Sequence, residues 1–457
     1  MRWVWGVDYS KNRPGSTMSF TFTFPPIQEH VLSNGLRIIR APHHAHRGIH
    51  IAIQMQVGKL HDPQGLEGTA DLAFGMMQRG SAVTPHEAFA ARFEQLGAAL
   101  SADVGDEHTV FGCKFLSCFA DEIIPLFWEA ITKPGLNEKE LTRLKKETAT
   151  AIQAEYVDPG TLAHKHFARE LFGSRHPAGR GHTRNSVKKI SLDDLQQFYD
   201  DRVGPRGSIV IVAGDVHLDA MQSRFEELFS SWNKEAAPTG SVAVPEKLGQ
   251  QKVRLVDKPD FSQTSLLLGH NAVAELSPDK NAVALANYIL GAGNFSSRLM
   301  ERIRSEHGKT YGISSQITTH KQFGAFTIGT TTQSEQVADV LANIFDVYRH
   351  FAQEGVTAEE LDKAKQFAVG NLAFQLEGIH NIAEKLLWLR LFDRDNGYIE
   401  NFNAMLEAIE ISQVNDAITR HLNEKNFVIV GVGKKSVIAP VLQTYGTVMQ
   451  VHFRSDP

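Results

Sequence analysis

Two distant stretches of the chain carry the same helical stripe of apolar and small positions. In LNEKELTRLKKETATAIQAEY, Leu141, Leu144, Thr148, Ile152 and Tyr156 recur every three or four residues, which predicts an amphipathic helix with one face toward a core. In VTAEELDKAKQFAVGNLAFQL, Leu361, Ala364, Ala368, Leu372 and Leu376 repeat that register, each 220 residues later. Ahead of these helices, HTVFGCKFLSC and FGAFTIGTTT are rich in β-branched and aromatic residues and read as strands. After them, helical stretches open at Ile190-Ser191 and Ile411-Ser412. Each leads into a buried strand, SIVIVAGDV ending at Val216 and NFVIVGVG ending at Gly433.

Landmarks in the same order at a nearly constant offset predict a duplicated chain. The expected division is an extension over 1–23, a first half over 24–232, a linker over 233–251 rich in Ala, Pro, Gly and charge, and a second half over 252–457. Hairpin-like strand runs are segregated from long helices within each half. That predicts an α+β class, two homologous sandwich halves whose antiparallel-rich sheets carry helices on one side. The alternating SFTFTF after Met18 looks like the start of folded structure, so the preceding residues read as an extension or an alternative start.

Composition sharpens this only by exclusion. The 457 residues suggest about three domains from length alone, and the repeat revises that to two. A chain that is 42% hydrophobic and 22% charged is not disordered, and a net charge of −5 argues against a strongly basic nucleic-acid or membrane-surface binder. Two cysteines make no disulfide scaffold; Cys113 and Cys118, an odd number of residues apart, read as small buried residues on opposite strand faces. No apolar run is long enough for a membrane helix, and MRWVWGVDYSKNRPGST lacks the pattern of a signal peptide. The simplest compartment is the cytoplasm, with the periplasm as the alternative.

Several motifs invite chemistry and fail to complete it. APHHAHRGIH gathers His43, His44, His46 and His50, but no cysteine or carboxylate completes a four-ligand set, so the run reads as a solvated loop. His164 and His166 read as surface residues of a helix. Gly291-Ala292-Gly293 before Asn294 and Phe295 lacks the third glycine of a dinucleotide fingerprint and the lysine of a P-loop. No GxSxG elbow occurs.

One set of stretches, in order, carries a resemblance. LSNGLRII is followed by LEGTADLAFGMMQRGS, with Leu66, Ala70, Ala73, Phe74 and Met77 along an apolar stripe. HPAGR at His176–Arg180, VIVAGDV, LGAGNFSSRL and RSEHGKTYG come next. From about Phe24 to the C-terminus the chain resembles the M16 (pitrilysin or insulinase-type) zinc peptidases in their bacterial half-length form, which implies the LuxS/MPP-like metallohydrolase fold. In active members the helix carries His-x-x-Glu-His: two imidazoles on one face bind zinc, and the glutamate acts as general base on the bound water. The matching positions here are Asp71, Phe74 and Gly75, and the distal glutamate ligand falls on or next to Ala151 when aligned through Asp158-Pro159. None of Glu29-His30, Glu107-His108 or Glu306-His307 has a histidine three residues before the glutamate. The resemblance therefore implies a chain that binds no metal and is no peptidase by itself.

The second half keeps a different part of the family pattern. Ser296-Ser297 is expected to cap a helix through Met300, Ile303 and Arg304, Gly308 to stop it, and Tyr311 to open the strand YGISSQIT. From the residues alone, Arg304 could merely favour a helix C-terminus and Tyr311 could be half-buried packing. The resemblance implies more, because their spacing is that of the family's Arg/Tyr pair, which reaches across to the zinc site, binds substrate backbone and stabilises the oxyanion. It also implies that Gly291, Gly293, Asn294 and Phe295 contact substrate, although Ala292 interrupts the glycines. The expected assembly is a heterodimer with a homologous catalytic chain that carries the zinc motif and the Zn²⁺, acting on peptides or unfolded segments. The alternatives are a catalytically dead structural or assembly subunit and a stand-alone peptide-binding protein.

Overall fold

The computed structural model describes residues 22–44, 47–216, 225–236, 240, 242–306, 308–422 and 426–456. Two six-stranded sheets organise them. The first half supplies β1 (Gln28–Val31), β2 (Arg37–Pro42), β3 (Gly48–Met55), β4 (Ala99–Val104), β5 (Thr109–Leu116) and β6 (Ile209–Gly214), in spatial order β1-β2-β6-β3-β5-β4. The second supplies β7 (Lys252–Asp257), β8 (Gln263–Ala272), β9 (Ile313–Thr319), β10 (Gly324–Gln333), β11 (Val428–Gly433) and β12 (Val448–His452), in order β12-β7-β11-β8-β10-β9. Five strands of each sheet correspond one to one. The outer edge differs, since β1 runs antiparallel to β2 whereas β12 runs parallel to β7. β6 and β11 each pair parallel on one side and antiparallel on the other, and every residue of both is buried. That explains their unbroken apolar sequences.

The helices used below are α1 (Thr69–Met77), α2 (Ala120–Thr132), α3 (Glu138–Glu155), α4 (Pro159–Phe172), α5 (Val337–Glu354), α6 (Ala358–Gln375), α7 (Ile379–Leu391) and α8 (Ile411–His421). The repeated stripes lie on α3 and α6, and both helices begin at a side-chain cap. Asn137 accepts from the Glu140 amide, and Thr357 forms a reciprocal box with Glu360. Leu141, Ile152, Leu361, Ala364 and Leu372 are buried, so the periodicity marks the true inner faces.

Each sheet packs its own helices on one face: α1, α2 and α3 on the first sheet, α5, α6 and α8 on the second. The opposite face is covered by the other half. α7 lays Leu386 and Leu387 on Ile39, Ala52, Ile209 and Ile211 of the first sheet, where Phe22 and Phe24 also pack. α4 lays Leu162, Phe167 and Leu171 on Leu267, Val428 and Val430 of the second. The expectation of helices on one side thus describes each half alone, and the exchanged helix adds the other layer. The 233–251 segment carries buried Ala236, Val242 and Leu248 before β7 begins. Of the 1–23 extension, only Phe22 and Thr23 fall within the described residues.

Three readings of single residues are corrected. His50 is no loop residue: it is buried in β3 with its Nε2 3.3 Å from His380 Nδ1, while His43 and His44 do lie between β2 and β3 and His46 lies outside the described residues. His166 is fully buried on α4, its Nδ1 accepting from Arg254 at 2.9 Å, because the face that carries it packs on the second sheet. Cys113 is buried but Cys118 is exposed, since the strand ends at Leu116 and a 3₁₀ turn turns Cys118 outward. Among the described residues no helix is long and apolar enough to cross a membrane.

Candidate functional site

α1 begins without a side-chain cap at Gly68, whose φ of 106° suits glycine. The carboxylate of Asp62 closes the helix start instead, accepting from Gly68 N at 2.6 Å and Ala70 N at 2.8 Å. Burial pushes the Asp62 carboxyl up to about 7 against these two hydrogen bonds. The helix so anchored presents Asp71 at the edge of the core, buries Phe74 completely, and sets Gly75 against α3. A Cβ on Gly75 would lie 2.8 Å from Leu144 Cδ2, so an imidazole there would require Leu144 to move. Ala151 is exposed on α3.

What meets Asp71 is a group of residues that motif spacing did not indicate. His182 stands between two carboxylates, its Nδ1 3.3 Å from Asp71 Oδ2 and its Nε2 3.3 Å from Glu155 Oε1. Lys165 pairs with the other oxygen of Glu155, and Lys59 Nζ lies 3.8 Å from Asp71. The hydrogen bond to Asp71 raises the His182 pKa above its ordinary value, against an opposing effect of burial. Zinc does not fit this set. Both imidazole nitrogens already face carboxylates, Phe74 and Gly75 supply no ligand, and two lysines bring further positive charge. Among the described residues no group of three or more His, Cys, Asp or Glu side chains has metal-binding geometry.

The second half places Phe295, Arg304 and Tyr311 together. The Arg304 guanidinium carbon lies 4.6 Å from the centre of the Phe295 ring and 5.6 Å from that of Tyr311. Both rings stand in solvent, Phe295 69% and Tyr311 91% exposed, which no requirement of the core explains. The backbone beneath them is irregular, with π-helical turns at Tyr288–Ala292 and Glu301–Glu306 on either side of the loop. Asn294 has φ 52°, an uncommon left-handed conformation for a residue with a side chain. Gly291 and Gly293 have packing reasons. A Cβ on the first would lie 2.4 Å from Ser315 Oγ, and on the second 2.8 Å from the Tyr288 carbonyl.

Two local expectations change. Ser297 does not cap the helix through its hydroxyl, which donates to the Asn294 carbonyl at 2.8 Å, and the helix it precedes is a short α turn, Arg298–Met300, continuing as the π turn. The strand begins at Ile313 rather than Tyr311, leaving Tyr311 free of the sheet. Gly308 does close the segment, with φ 60° and its amide donating to Arg304 O at 2.9 Å.

Comparison with known proteins gives these features a frame. Residues 39–175 match the family model described as Insulinase (Peptidase family M16), and residues 189–367 match the model described as Peptidase M16 inactive domain. The chain is 26% identical over 404 residues to the "Non-peptidase homolog YmxG" of Helicobacter pylori, covering 85% of this chain and 89% of that one. It is 23% identical over 357 residues to the "Uncharacterized zinc protease YmxG" of Bacillus subtilis, covering 78% and 86%. Its fold is similar to the peptidase M16 inactive domain from Pseudomonas fluorescens, with a TM-score of 0.82 at 25% identity over 90% of this chain and 98% of that one. It is also similar in fold to the periplasmic protease PqqL from Escherichia coli, with a TM-score of 0.76 at 15% identity, spanning 93% of this chain and 47% of PqqL.

Proposed function

The chain belongs to the M16 family, and on that premise we propose that it is the non-catalytic subunit of a heterodimeric zinc peptidase, completing in trans the active site of a homologous chain that carries the intact metal motif. The Phe295–Arg304–Tyr311 group carries this reading. Its guanidinium and phenol are offered at the surface, in a chain whose own metal-site positions hold Asp71, Phe74 and Gly75. Solvent-exposed rings around a cation do little for folding but suit contact with something outside the chain.

The chemistry is that of hydrogen-bond donors held where negative charge develops. A guanidinium fork could hold a substrate carbonyl, and a phenolic O–H could donate to the negative charge that develops on that oxygen, while the sister chain's metal would supply the activation of water. The base and the metal belong to the sister chain. This chain supplies orientation and charge stabilisation, and peptides or unfolded segments are the substrates in this reading.

The test mixes the purified chain with a sister chain containing His-x-x-Glu-His and follows cleavage of a quenched fluorescent peptide. Neither chain alone should cleave it efficiently, and the mixture should. Tyr311→Phe in the mixture should lower turnover about 10²-fold, the usual scale for one oxyanion donor. Zinc-dependent hydrolysis by this chain alone, or undiminished turnover with Tyr311→Phe, would sink the proposal.

A further inference from the structure

A cleft of about 800 Å³ opens between α3, the segment around Arg184–Lys189 and the C-terminal residues after β12. Two residues of its wall are chain neighbours of the group that meets Asp71: Tyr156 follows Glu155, and Arg184 stands two residues after His182. Its charge is one-sided. Lys145, Lys146, Arg184, Lys188 and Arg454 line it against a single acid, Asp456, which accepts a hydrogen bond from Tyr156 at 2.7 Å. Lys145 donates to the Lys188 carbonyl at 3.2 Å, and among the described residues none of the five cations pairs with a carboxylate.

Five like charges in one cleft repel one another, and nothing in the packing requires them. They stand out more in a chain whose net charge is −5, which elsewhere pairs many of its cations with acids. A concave wall of one sign concentrates its field, and an anion seated there relieves the repulsion. We propose that this cleft binds an acidic segment of a polypeptide, whose spaced carboxylates meet the separated lysine and arginine heads.

A peptide fits better than a nucleic acid. The overall negative charge opposes a long polyanion, and the two rings in the wall are only partly open, Tyr156 being engaged with Asp456 and Phe453 lying beside Arg454. The site is built from α3 and the Arg184–Lys189 segment of the first half with the C-terminal residues of the second, away in sequence from Arg304 and Tyr311, and needs no sister chain.

The experiment is fluorescence anisotropy with the full chain alone. The probes are a labelled Glu/Asp-rich dodecapeptide, its Gln/Asn counterpart and a single-stranded oligonucleotide of similar charge. The acidic peptide should bind at least tenfold more tightly than the amide version, and the difference should shrink between 50 and 300 mM salt, where screening shortens the reach of these charges. The double variant Arg184→Glu, Lys188→Glu should weaken acidic-peptide binding at least tenfold. The milder Arg184→Gln, Lys188→Gln should weaken it severalfold, and Lys435→Glu, an exposed reversal elsewhere, should leave it unchanged. Circular dichroism melts would establish that each variant is folded. Equal binding of acidic and amide peptides, no loss on charge reversal in folded protein, or tighter binding of the oligonucleotide would overturn the proposal. Because no cleavage is measured, these outcomes stand apart from the fate of the heterodimer reading.

Discussion

At the scale of single residues, His182 balances two carboxylates that would otherwise repel each other. Its pKa is raised from 6.5, first by the hydrogen bond to Asp71. A raised native pKa means that the protonated ring is favoured by folding. The stabilisation is complete below the unfolded value near 6.5 and is lost as pH rises through the higher folded value. The urea midpoint of wild type should therefore exceed that of His182→Gln by more at pH 6 than at pH 9. An equal gap at both values would mean that the ring is not charged in the native protein. The family resemblance pointed to Asp71, Phe74 and Gly75, because the family's metal motif has fixed spacing on its helix. It did not point to His182, which is 111 residues from Asp71, or to Glu155 and Lys165, because charge pairs assembled across loops obey no spacing rule. The resemblance implies Phe295 as a substrate contact, but its ring against Arg304 emerges only from the fold.

At the scale of elements, the exchange of α4 and α7 is the feature on which most packing turns. The apolar stripes predicted which faces are buried but not against what, since periodicity reports an orientation and says nothing of the partner. His166 shows the cost of that gap. Among Lys165, His164 and Arg169 it looked like part of a solvated face, yet Arg254 of β7 meets it and Glu170 pairs with that arginine. Phe167 lies one residue on, at 4% exposure, against the second sheet. The strand opposite has thinned to accept it, for a Cβ on Gly269 would stand 2.9 Å from the Phe167 ring and 1.9 Å from the Phe326 carbonyl. Phe167→Ala should cost about 3–5 kcal/mol in urea unfolding, the usual range for a buried phenylalanine. A cost below about 1 kcal/mol, the size of a surface change, would mean that α4 does not seal the second sheet.

At the scale of the molecule, the duplication was legible from the 220-residue offset, and the sheet orders bear it out. What the repeat concealed is that the two copies are not self-sufficient. Cut between them, the first half would expose Ile39, Ala52, Ile209 and Ile211 on one face of its sheet, and α4 would have nothing to cover. The second half would expose Leu267, Val428, Val430 and Val432 and strand α7. The junction is also specific in its polar contacts: Gln54 Nε2 donates to the Leu387 carbonyl at 3.1 Å, and His320 Nε2 lies 2.9 Å from Asp106 Oδ2. A bare sheet face in water loses its hydrophobic stabilisation on that side and offers a surface for aggregation. Residues 24–232 and 252–457 expressed separately should therefore bind a hydrophobic dye and unfold without a sharp transition. Coexpression should yield a 1:1 complex with cooperative unfolding, because the helices can be exchanged between fragments as they are within the chain. Either fragment alone giving a sharp, dye-free transition would show that the exchanged helix is an ornament of the fold. In that case the rigidity with which Arg304 and Tyr311 are presented would have to come from the second half by itself.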